Sequence, residues 1–201
     1  ILINAYFPHL LKKLADEVDA KLVHISTDCV FSGRKGYYTE EDFRDADDVY
    51  GRSKALGEVI NDKDLTIRTS IIGPELKRNG EGLFHWFMNQ HGQVNGFKTA
   101  IWGGVTTLEL AKAIDAALLQ NKTGLLQLSN GVGISKYDLL GLFKEIWNKQ
   151  DIDIMPYDGN GIDKSIAKSE RFDYDVPSYK QMLIEQAAWM ESHKSLYAQY
   201  F

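Results

Sequence analysis

Apolar and polar positions switch between two patterns along the first third of the chain. Over 4–19 the apolar residues recur every three or four positions, which predicts an amphipathic helix. The short apolar runs 21–26 and 65–72 are typical of buried strands, and a second helix is predicted between them over 49–60. This order of helix, strand, helix and strand indicates an α/β protein with a parallel sheet.

The rest of the chain continues the alternation less regularly. Residues 27–48 form a long polar loop with an acidic stretch, and loops of this length in compact domains are usually functional. Further helices and strands are predicted downstream. The first predicted helix is 83–89. Three more begin at capping residues: one at a capping box at Thr106 that runs through 119, one at Ser135 that runs through 147, and one at a capping box at Ser178 that runs to about 190. The predicted strands are 125–128 and 153–155.

The candidate chemistry lies where the first strand meets the helix that follows the loop. Tyr50 and Lys54 are four residues apart and therefore share one helix face. Ser26 and Thr27 end the strand, and open α/β sheets bind their ligands at the carboxyl ends of strands. A phenol, an ammonium and a hydroxyl can together exchange a proton with a carbonyl or alcohol oxygen. The alternative is an exposed helix that carries a half-buried tyrosine.

Five segments together resemble the extended short-chain dehydrogenase/reductase superfamily, and most of all its dTDP-4-dehydrorhamnose reductase branch. They are 24–33 (HISTDCVFSG), 38–42 (YTEED), 50–54 (YGRSK), 57–58 (GE) and 67–73 (IRTSIIG). The resemblance is strong over 4–74 and looser beyond. It implies the C-terminal portion of a doubly wound parallel, Rossmann-like sheet plus a small α/β substrate-binding part. We expect 1–75 to be a partial NAD(P)-binding domain with the catalytic helix, and 76–201 to be mainly substrate-binding, with a strand that can return to the main sheet.

The glycine-rich turn that holds a dinucleotide pyrophosphate is absent from the sequence. No G-x-G-x-x-G occurs, although dinucleotide folds place this turn in their first β-α unit. The chain also opens on Ile1, and its first methionine is Met88. We therefore expect a fragment that lacks about the first hundred residues of the domain, that binds NAD(P) weakly or not at all on its own, and that shows no reductase activity.

The resemblance implies a role for each residue of the catalytic set. Tyr50 is the acid/base, and Lys54 holds the nicotinamide ribose and favours the phenolate. Thr27 orients the substrate carbonyl; the alternative is that Thr27 merely caps the loop. Asn4 matches the active-site asparagine, and its carbonyl can hold a water because Pro8 has no N–H to donate to it. The alternative for Asn4 and Pro8 is a plain helix start.

Other residues are expected to contact the cofactor, NADP or NAD, and a nucleotide-sugar substrate. The cofactor-binding set implied by the resemblance is Ser26, Tyr50, Lys54, Ile72, Gly73 and Pro74. The substrate-binding set is Thr27, Asp28, Cys29, Trp102, Lys164 and Arg171. Trp102 is a candidate for stacking on a nucleobase, and Lys164 and Arg171 suit a diphosphate. The alternative for 72–74 is a buried strand end. The alternative for Trp102 is a plain turn, and the alternative for Lys164 and Arg171 is a solvated loop.

Cys29 departs from the family pattern, which usually carries tyrosine at this position. Cysteine cannot make an aromatic or phenolic contact, so the sugar stays open. No base is evident beside it, and we expect Cys29 to line the pocket rather than act as a nucleophile.

Composition narrows the classes of partner. The net charge of −5 argues against a nucleic-acid surface. A single cysteine suits a reducing compartment, no apolar run approaches the length of a membrane span, and the five histidines show no metal-ligand spacing. We expect a cytoplasmic protein without a metal or a membrane partner. A sheet edge left by absent strands makes a homodimer a further expectation.

The predicted function is NAD(P)H-dependent reduction of the 4-keto group of a nucleotide-activated deoxysugar. The first alternative is an epimerase or dehydratase of the same superfamily, although an Asp-Glu pair after Thr27 would favour a dehydratase and Asp28-Cys29 does not. The second is a non-catalytic subunit that resembles the regulatory subunit of methionine adenosyltransferase. The base, the sugar and the choice between NADH and NADPH stay open.

Overall fold

The computed structural model describes residues 1–77 and 79–201. A π-helical turn at Leu2–Tyr6 opens the chain, and short 3-10 turns lie at Asp28–Val30 and Ala198–Tyr200. The α-helices are α1 (Phe7–Glu17), α2 (Val49–Leu56), α3 (Leu83–Met88), α4 (Thr107–Leu119), α5 (Lys136–Ile146) and α6 (Tyr179–Ser192). The strands are β1 (Val23–Thr27), β2 (Leu65–Thr69), β3 (Ile71–Ile72), β4 (Gly92–Phe97), β5 (Ala100–Trp102), β6 (Val105–Thr106), β7 (Gly124–Gln127), β8 (Ile134–Ser135), β9 (Ile152–Tyr157) and β10 (Ile162–Asp163).

The main sheet contains three parallel strands in the order β1-β2-β7. Its register places Thr27 opposite Thr69, and Ser26, Arg68 and Gln127 in one row across the sheet. The predicted parallel α/β fold is confirmed. Thr27 is the last residue of its strand, so its side chain lies at the carboxyl edge of the sheet.

One hydrophobic core joins both predicted regions of the chain. It contains Leu65 and Ile67 of β2 together with Leu126 of β7 and Phe143 of α5, all almost fully buried. The strand β7, from the second region, pairs with β2. The division into 1–75 and 76–201 stays a prediction.

The predicted strand 65–72 is two strands. The chain leaves β2 at Ser70, whose carbonyl oxygen accepts a hydrogen bond from the Val105 N–H (2.9 Å), and β3 then pairs with β6. An apolar run cannot show this break, because the break depends on a partner more than thirty residues away. The strands β4, β5, β6, β8 and β10 were also missed, since they are short or rich in polar residues and glycine.

The helix starts are predicted better than the helix faces. Thr106, Ser135 and Ser178 each accept a hydrogen bond from the N–H three residues later, so these three predicted caps are confirmed. The amphipathic helix 4–19 begins instead as a π-helical turn and becomes α1 at Phe7, and the helix 49–60 ends at Leu56. Apolar side chains of α1, including Leu14 (48% exposed), stay exposed.

No helix among the described residues is long and apolar enough to cross a membrane.

Candidate functional site

The Thr27 hydroxyl has partners within its own turn. Its Oγ1 accepts a hydrogen bond from the Cys29 N–H (3.1 Å) and donates one to Oδ1 of Asp28 (3.1 Å). Thr27 therefore caps the 3-10 turn that follows β1, as the alternative interpretation expected. The same side chain also lies close enough to Tyr50 to lower the pKa of the phenol. The capping contacts hold the hydroxyl at the sheet edge, on the side that Tyr50 faces.

Tyr50 lies in the first turn of α2 and is half-exposed. The helix begins at Asp48, whose carboxylate accepts a hydrogen bond from the Gly51 N–H (2.7 Å). Burial raises the pKa of Tyr50, the Thr27 side chain opposes this, and the acidic groups of Asp28 and Asp48 add to the increase. The phenol therefore keeps its proton at neutral pH.

The Lys54 ammonium binds the backbone of the strand that ends in Thr27. Its Nζ donates to the carbonyl oxygen of Ile25 (2.7 Å). Burial lowers the pKa of Lys54, and the charge of Glu58 raises it in opposition. The expected stabilisation of a phenolate by Lys54 stays a prediction.

Two glycines allow α2 to lie directly on the turn after β1 and on the π-helical turn. A Cβ on Gly51 would overlap the carbonyl oxygen of Cys29, and a Cβ on Gly57 would overlap that of Asn4. Only glycine permits backbones to approach this closely. The position of Tyr50 and Lys54 over β1 therefore depends on these two residues.

Asn4 lies in the π-helical turn beside α2. Its Nδ2 donates to the Ser53 hydroxyl (3.2 Å), one residue before Lys54. Pro8 is buried near the start of α1 and supplies no N–H to the Asn4 carbonyl. Single π-helical turns are frequent at functional sites. The role of this carbonyl in holding a water stays a prediction.

Ser26 is buried and its hydroxyl is bound by Glu58, while its contact with a cofactor stays a prediction. Its hydroxyl donates to Oε1 of Glu58 (2.7 Å), and the residue is only 3% exposed. Of the two hydroxyls that competed for the substrate carbonyl, Thr27 is the one that the structure places beside Tyr50.

Asp28, Cys29 and Lys164 lie near one another beside Thr27. Burial raises the pKa of Asp28, while the Thr27 hydroxyl and the charge of Lys164 lower it. Burial also raises the pKa of the Cys29 thiol, the charge of Asp28 adds to this, and Lys164 opposes it. A thiol with a raised pKa is a poor nucleophile, which agrees with the interpretation of Cys29 as a lining residue. Lys164 is the predicted diphosphate ligand that lies close to the site.

The segment 72–74 begins with the last residue of β3. Ile72 is buried, while Gly73 and Pro74 are partly exposed. A Cβ on Gly73 would overlap the Thr107 hydroxyl, so the glycine lets the turn pack against the start of α4. Contact of this turn with a cofactor stays a prediction.

Trp102 belongs to the core instead of an open groove. It is only 7% exposed, its Nε1 donates to the Ser70 hydroxyl (2.8 Å), and its ring packs on Tyr179 with centroids 5.6 Å apart. In this arrangement the ring has no free face for a nucleobase. The fixed indole explains the neighbouring glycine, since a Cβ on Gly104 would overlap the Ser70 carbonyl oxygen and the Trp102 ring.

Arg171 lies at the far end of the main sheet from Thr27. Its guanidinium donates to the carbonyl oxygens of Leu125 (3.1 Å) and Thr123 (3.3 Å) along the outer edge of β7. The register pairs Gly124 with Leu65, four residues before the Thr69 that pairs with Thr27. Unpaired groups of an edge strand invite association, and charged side chains protect them. The structure therefore assigns Arg171 to the sheet edge, whereas the resemblance implied a diphosphate ligand.

Replacing Arg171 with Met should lower the free energy of unfolding by about 1–2 kcal/mol, because two hydrogen bonds to a strand edge are lost. Urea denaturation measures this change. Lys180→Met is a matched control, since it removes an exposed ion pair with Glu145 and should change stability by less than about 0.5 kcal/mol. A weaker affinity of Arg171→Met for a nucleoside diphosphate, with unchanged stability, would restore the diphosphate assignment.

The sequence interpretation missed two contributors to the site. Asp48 caps α2, and Glu58, which follows α2, binds Ser26 and Arg68. Asp48 had a local signal, because aspartate commonly precedes a helix. The partners of Glu58 had none, since they come from other strands. Within the described part of the chain, no group of three or more His, Cys, Asp or Glu side chains is arranged to hold a metal.

The parallel α/β fold, with Thr27 at a strand end and Tyr50 and Lys54 on the adjoining helix, defines a protein of the extended short-chain dehydrogenase/reductase class. The profile of the family described as "RmlD substrate binding domain" matches residues 1–200, and the chain belongs to this family. No protein with a curated description matches the chain significantly.

Solved structures support the same family assignment. A dTDP-4-dehydrorhamnose reductase from Clostridium acetobutylicum has a TM-score of 0.79 and 22% identity, with 94% of this chain and 72% of the other covered. A hypothetical dTDP-4-dehydrorhamnose reductase from Sulfolobus tokodaii has a TM-score of 0.70 and 30% sequence identity, and the match covers 88% of this chain and 68% of the other. A dTDP-4-dehydrorhamnose reductase from Bacillus anthracis in complex with NADP has a TM-score of 0.78 and 22% sequence identity, and the match covers 94% of this chain and 72% of the other. Nucleotide-sugar dehydratases and an epimerase also share the fold.

Proposed function

We propose that this chain is the catalytic and substrate-binding part of an NAD(P)H-dependent reductase that acts on the 4-keto group of a nucleotide-activated deoxysugar. The observation that supports this most directly is geometric: Thr27 ends β1 at the carboxyl edge of the main sheet, and α2, which carries Tyr50, packs on the turn directly after it. Membership of the family and the likeness to dTDP-4-dehydrorhamnose reductases supply the substrate class.

The described residues suit the nicotinamide end of a dinucleotide. Lys54 carries a half-buried ammonium that can bind ribose hydroxyls, and Gly73 and Pro74 offer partly exposed backbone. A bound NAD(P)H would supply the hydride for the substrate carbon. No glycine-rich phosphate turn occurs in these 201 residues, so the pyrophosphate is not accounted for by this chain.

Tyr50 and Thr27 account for the proton that reduction requires. Reduction of a ketone leaves an alkoxide oxygen that must gain one proton. Tyr50 holds its proton at neutral pH, because burial raises its pKa, and it can donate this proton to the oxygen. The Thr27 hydroxyl, held by its contacts with Asp28 and Cys29, can orient the same oxygen. Lys54 stays on the strand side of the helix and binds rather than exchanges protons.

Incubation of the full-length protein with NADPH or NADH and a dTDP-linked 4-keto-6-deoxysugar should oxidise the reduced nicotinamide and yield the 4-hydroxy sugar. Loss of nicotinamide absorbance measures the reaction, and the UDP-linked sugar tests the choice of base. A protein that binds the dinucleotide but oxidises neither cofactor with either sugar would contradict the proposal and favour the regulatory-subunit alternative.

One observation favours a second candidate, a dehydratase of the same class. Asp28 is buried beside Thr27, and its raised pKa suits a carboxylic acid that donates a proton. A dehydratase would release water from a 4-hydroxy nucleotide sugar without net consumption of added NAD(P)H. Product analysis by mass spectrometry distinguishes the loss of water from the gain of two hydrogens.

A further inference from the structure

A cluster of polar and charged groups, buried except for Arg44, lies beneath α2. This Glu58 cluster contains Ser26, Arg44, Glu58 and Arg68. The Glu58 carboxylate accepts from the Ser26 hydroxyl (2.7 Å), from Arg68 Nε (2.7 Å) and Nη2 (2.8 Å), and from Arg44 Nη1 (2.9 Å). The side chains of Glu58 and Arg68 are 0% and 2% exposed. Both oxygens of the carboxylate are therefore satisfied by donors from other elements.

The Glu58 cluster joins the strand that ends in Thr27, the loop before α2 and the end of α2 itself. Ser26 directly precedes Thr27 on β1, Arg68 lies opposite Ser26 on β2, and Arg44 comes from the loop before α2. Arg44 also donates to the Ala55 carbonyl oxygen at the end of α2 (2.7 Å). Glu58 itself follows α2 and is four residues from Lys54. A single carboxylate thus links the strand end, the loop and the helix.

Burial of this many charges gives no clear gain in stability. Removing charges from water is costly, and a buried ion pair is often replaced by apolar residues without loss. Burial raises the pKa of Glu58, but the hydrogen bonds and charge of Arg68 outweigh this, so the carboxyl stays ionised. A negative charge is therefore fixed beside Ser26, and Lys54 binds the carbonyl oxygen of the preceding residue, Ile25 (2.7 Å).

The titratable groups around Lys54 come from three elements. Glu58 favours the ammonium form of Lys54, in opposition to burial. His24 of β1 is near both, and burial together with the charge of Lys54 lowers the pKa of His24 to about 4. His9 of α1 is near His24 and binds the Leu56 carbonyl oxygen (2.8 Å). His24 is neutral at pH 7, so the charge that acts on Lys54 is that of Glu58.

We propose that Glu58 is a positioning residue for the proposed reductase site, which aligns α2 against β1 and supplies the negative charge opposite Lys54. Its effect on catalysis rests on the proposed function, whereas its effect on Lys54 does not. Glu58 contacts no reacting atom and acts through Lys54, Ser26 and the helix.

Glu58→Gln in the full-length protein keeps the size of the side chain and removes its charge. The pKa of Lys54 should fall further, because its charged neighbour is lost while burial stays. NMR of lysine side chains labelled with nitrogen-15, assigned with Lys54→Arg, measures this titration without any substrate. An unchanged Lys54 titration in folded Glu58→Gln would overturn the proposal.

Glu109→Gln is the matched control. Glu109 is equally buried, accepts a hydrogen bond from Tyr174 (2.6 Å) and pairs with Lys112, but it lies on α4 away from Lys54. Both variants should lose stability, and only Glu58→Gln should shift Lys54. An equal shift in Glu109→Gln would show a general effect of unfolding and would also overturn the proposal.

Arg44→Gln keeps the test decisive if Glu58→Gln does not fold. Arg44 is partly exposed, and its loss leaves Glu58 paired with Arg68 alone. The charge of Glu58 is then less neutralised, so the pKa of Lys54 should rise, the opposite of the change in Glu58→Gln. A fall or no change would contradict the proposal.

Activity provides the second measurement. In Glu58→Gln, kcat should fall about 10-fold, less than for an ångström-scale misplacement. Lys54 must be charged to hold its ligand, so the alkaline decline of kcat should move to lower pH. If the wild-type protein reduces no sugar while Lys54 still shifts in the variants, the proposed function fails and the assignment of Glu58 stands.

Discussion

Replacement of Tyr50 by Phe should lower the kcat of the full-length protein at least about 100-fold, the lower range for loss of a general acid. The phenol is the proposed proton donor and holds its proton at neutral pH, and phenylalanine keeps the ring but cannot donate. Dinucleotide affinity should stay close to that of the wild type, because Lys54 is unchanged. Steady-state kinetics and calorimetry measure the two quantities.

The matched control for Tyr50→Phe is Tyr157→Phe. Tyr157 is also about half-exposed, but it lies on β9 and packs against Phe97, away from Thr27. This variant should retain its turnover. Near-normal turnover in Tyr50→Phe would remove Tyr50 from the mechanism, and equal losses in both variants would indicate damage to the fold.

Replacement of Gly51 by Ala should have the second large effect. The added Cβ would overlap the backbone carbonyl oxygen of Cys29, which cannot rotate away, so α2 must move. Overpacking of this kind costs about 1–3 kcal/mol of stability. A shift of about 1 Å in Tyr50 and Lys54 can lower turnover by about 100-fold. Thermal denaturation and kinetics measure these changes.

Gly141→Ala provides the comparison on another helix. Gly141 lies inside α5, and an added Cβ there meets no atom within 4 Å. Alanine favours a helix by about 1 kcal/mol over glycine, so this variant should gain stability and keep its activity. If Gly51→Ala is as stable and active as Gly141→Ala, the close approach of α2 to Cys29 does not position the site.

The local features of the fold could be predicted from the chain alone. The caps at Thr106, Ser135 and Ser178 depend on a side chain and an N–H three residues away, so neighbouring residues contain the necessary information. The same holds for Tyr50 and Lys54, since a helical spacing of four places them on one face. Their relation to Thr27 followed from a family resemblance, because the strand and the helix are separated by a long loop.

Features that depend on distant partners could not be predicted in this way. The break at Ser70 requires the Val105 N–H, the burial of Trp102 requires Ser70 and Tyr179, and the place of Arg171 requires an unpaired edge of β7. The chemistry of each side chain allows several roles, and only its neighbours select one.

The sequence by itself determined the class of protein, the parallel α/β fold and the residues that carry the proposed chemistry. The fold follows from the local pattern of apolar residues, whereas the class and the residue roles follow from motifs that resemble those of a known family. The tertiary structure decided which hydroxyl faces Tyr50, which cation stays near the site, and that Glu58 is buried between two arginines and Ser26. Those choices depend on which groups are removed from water together, and burial of that kind arises only when distant segments pack.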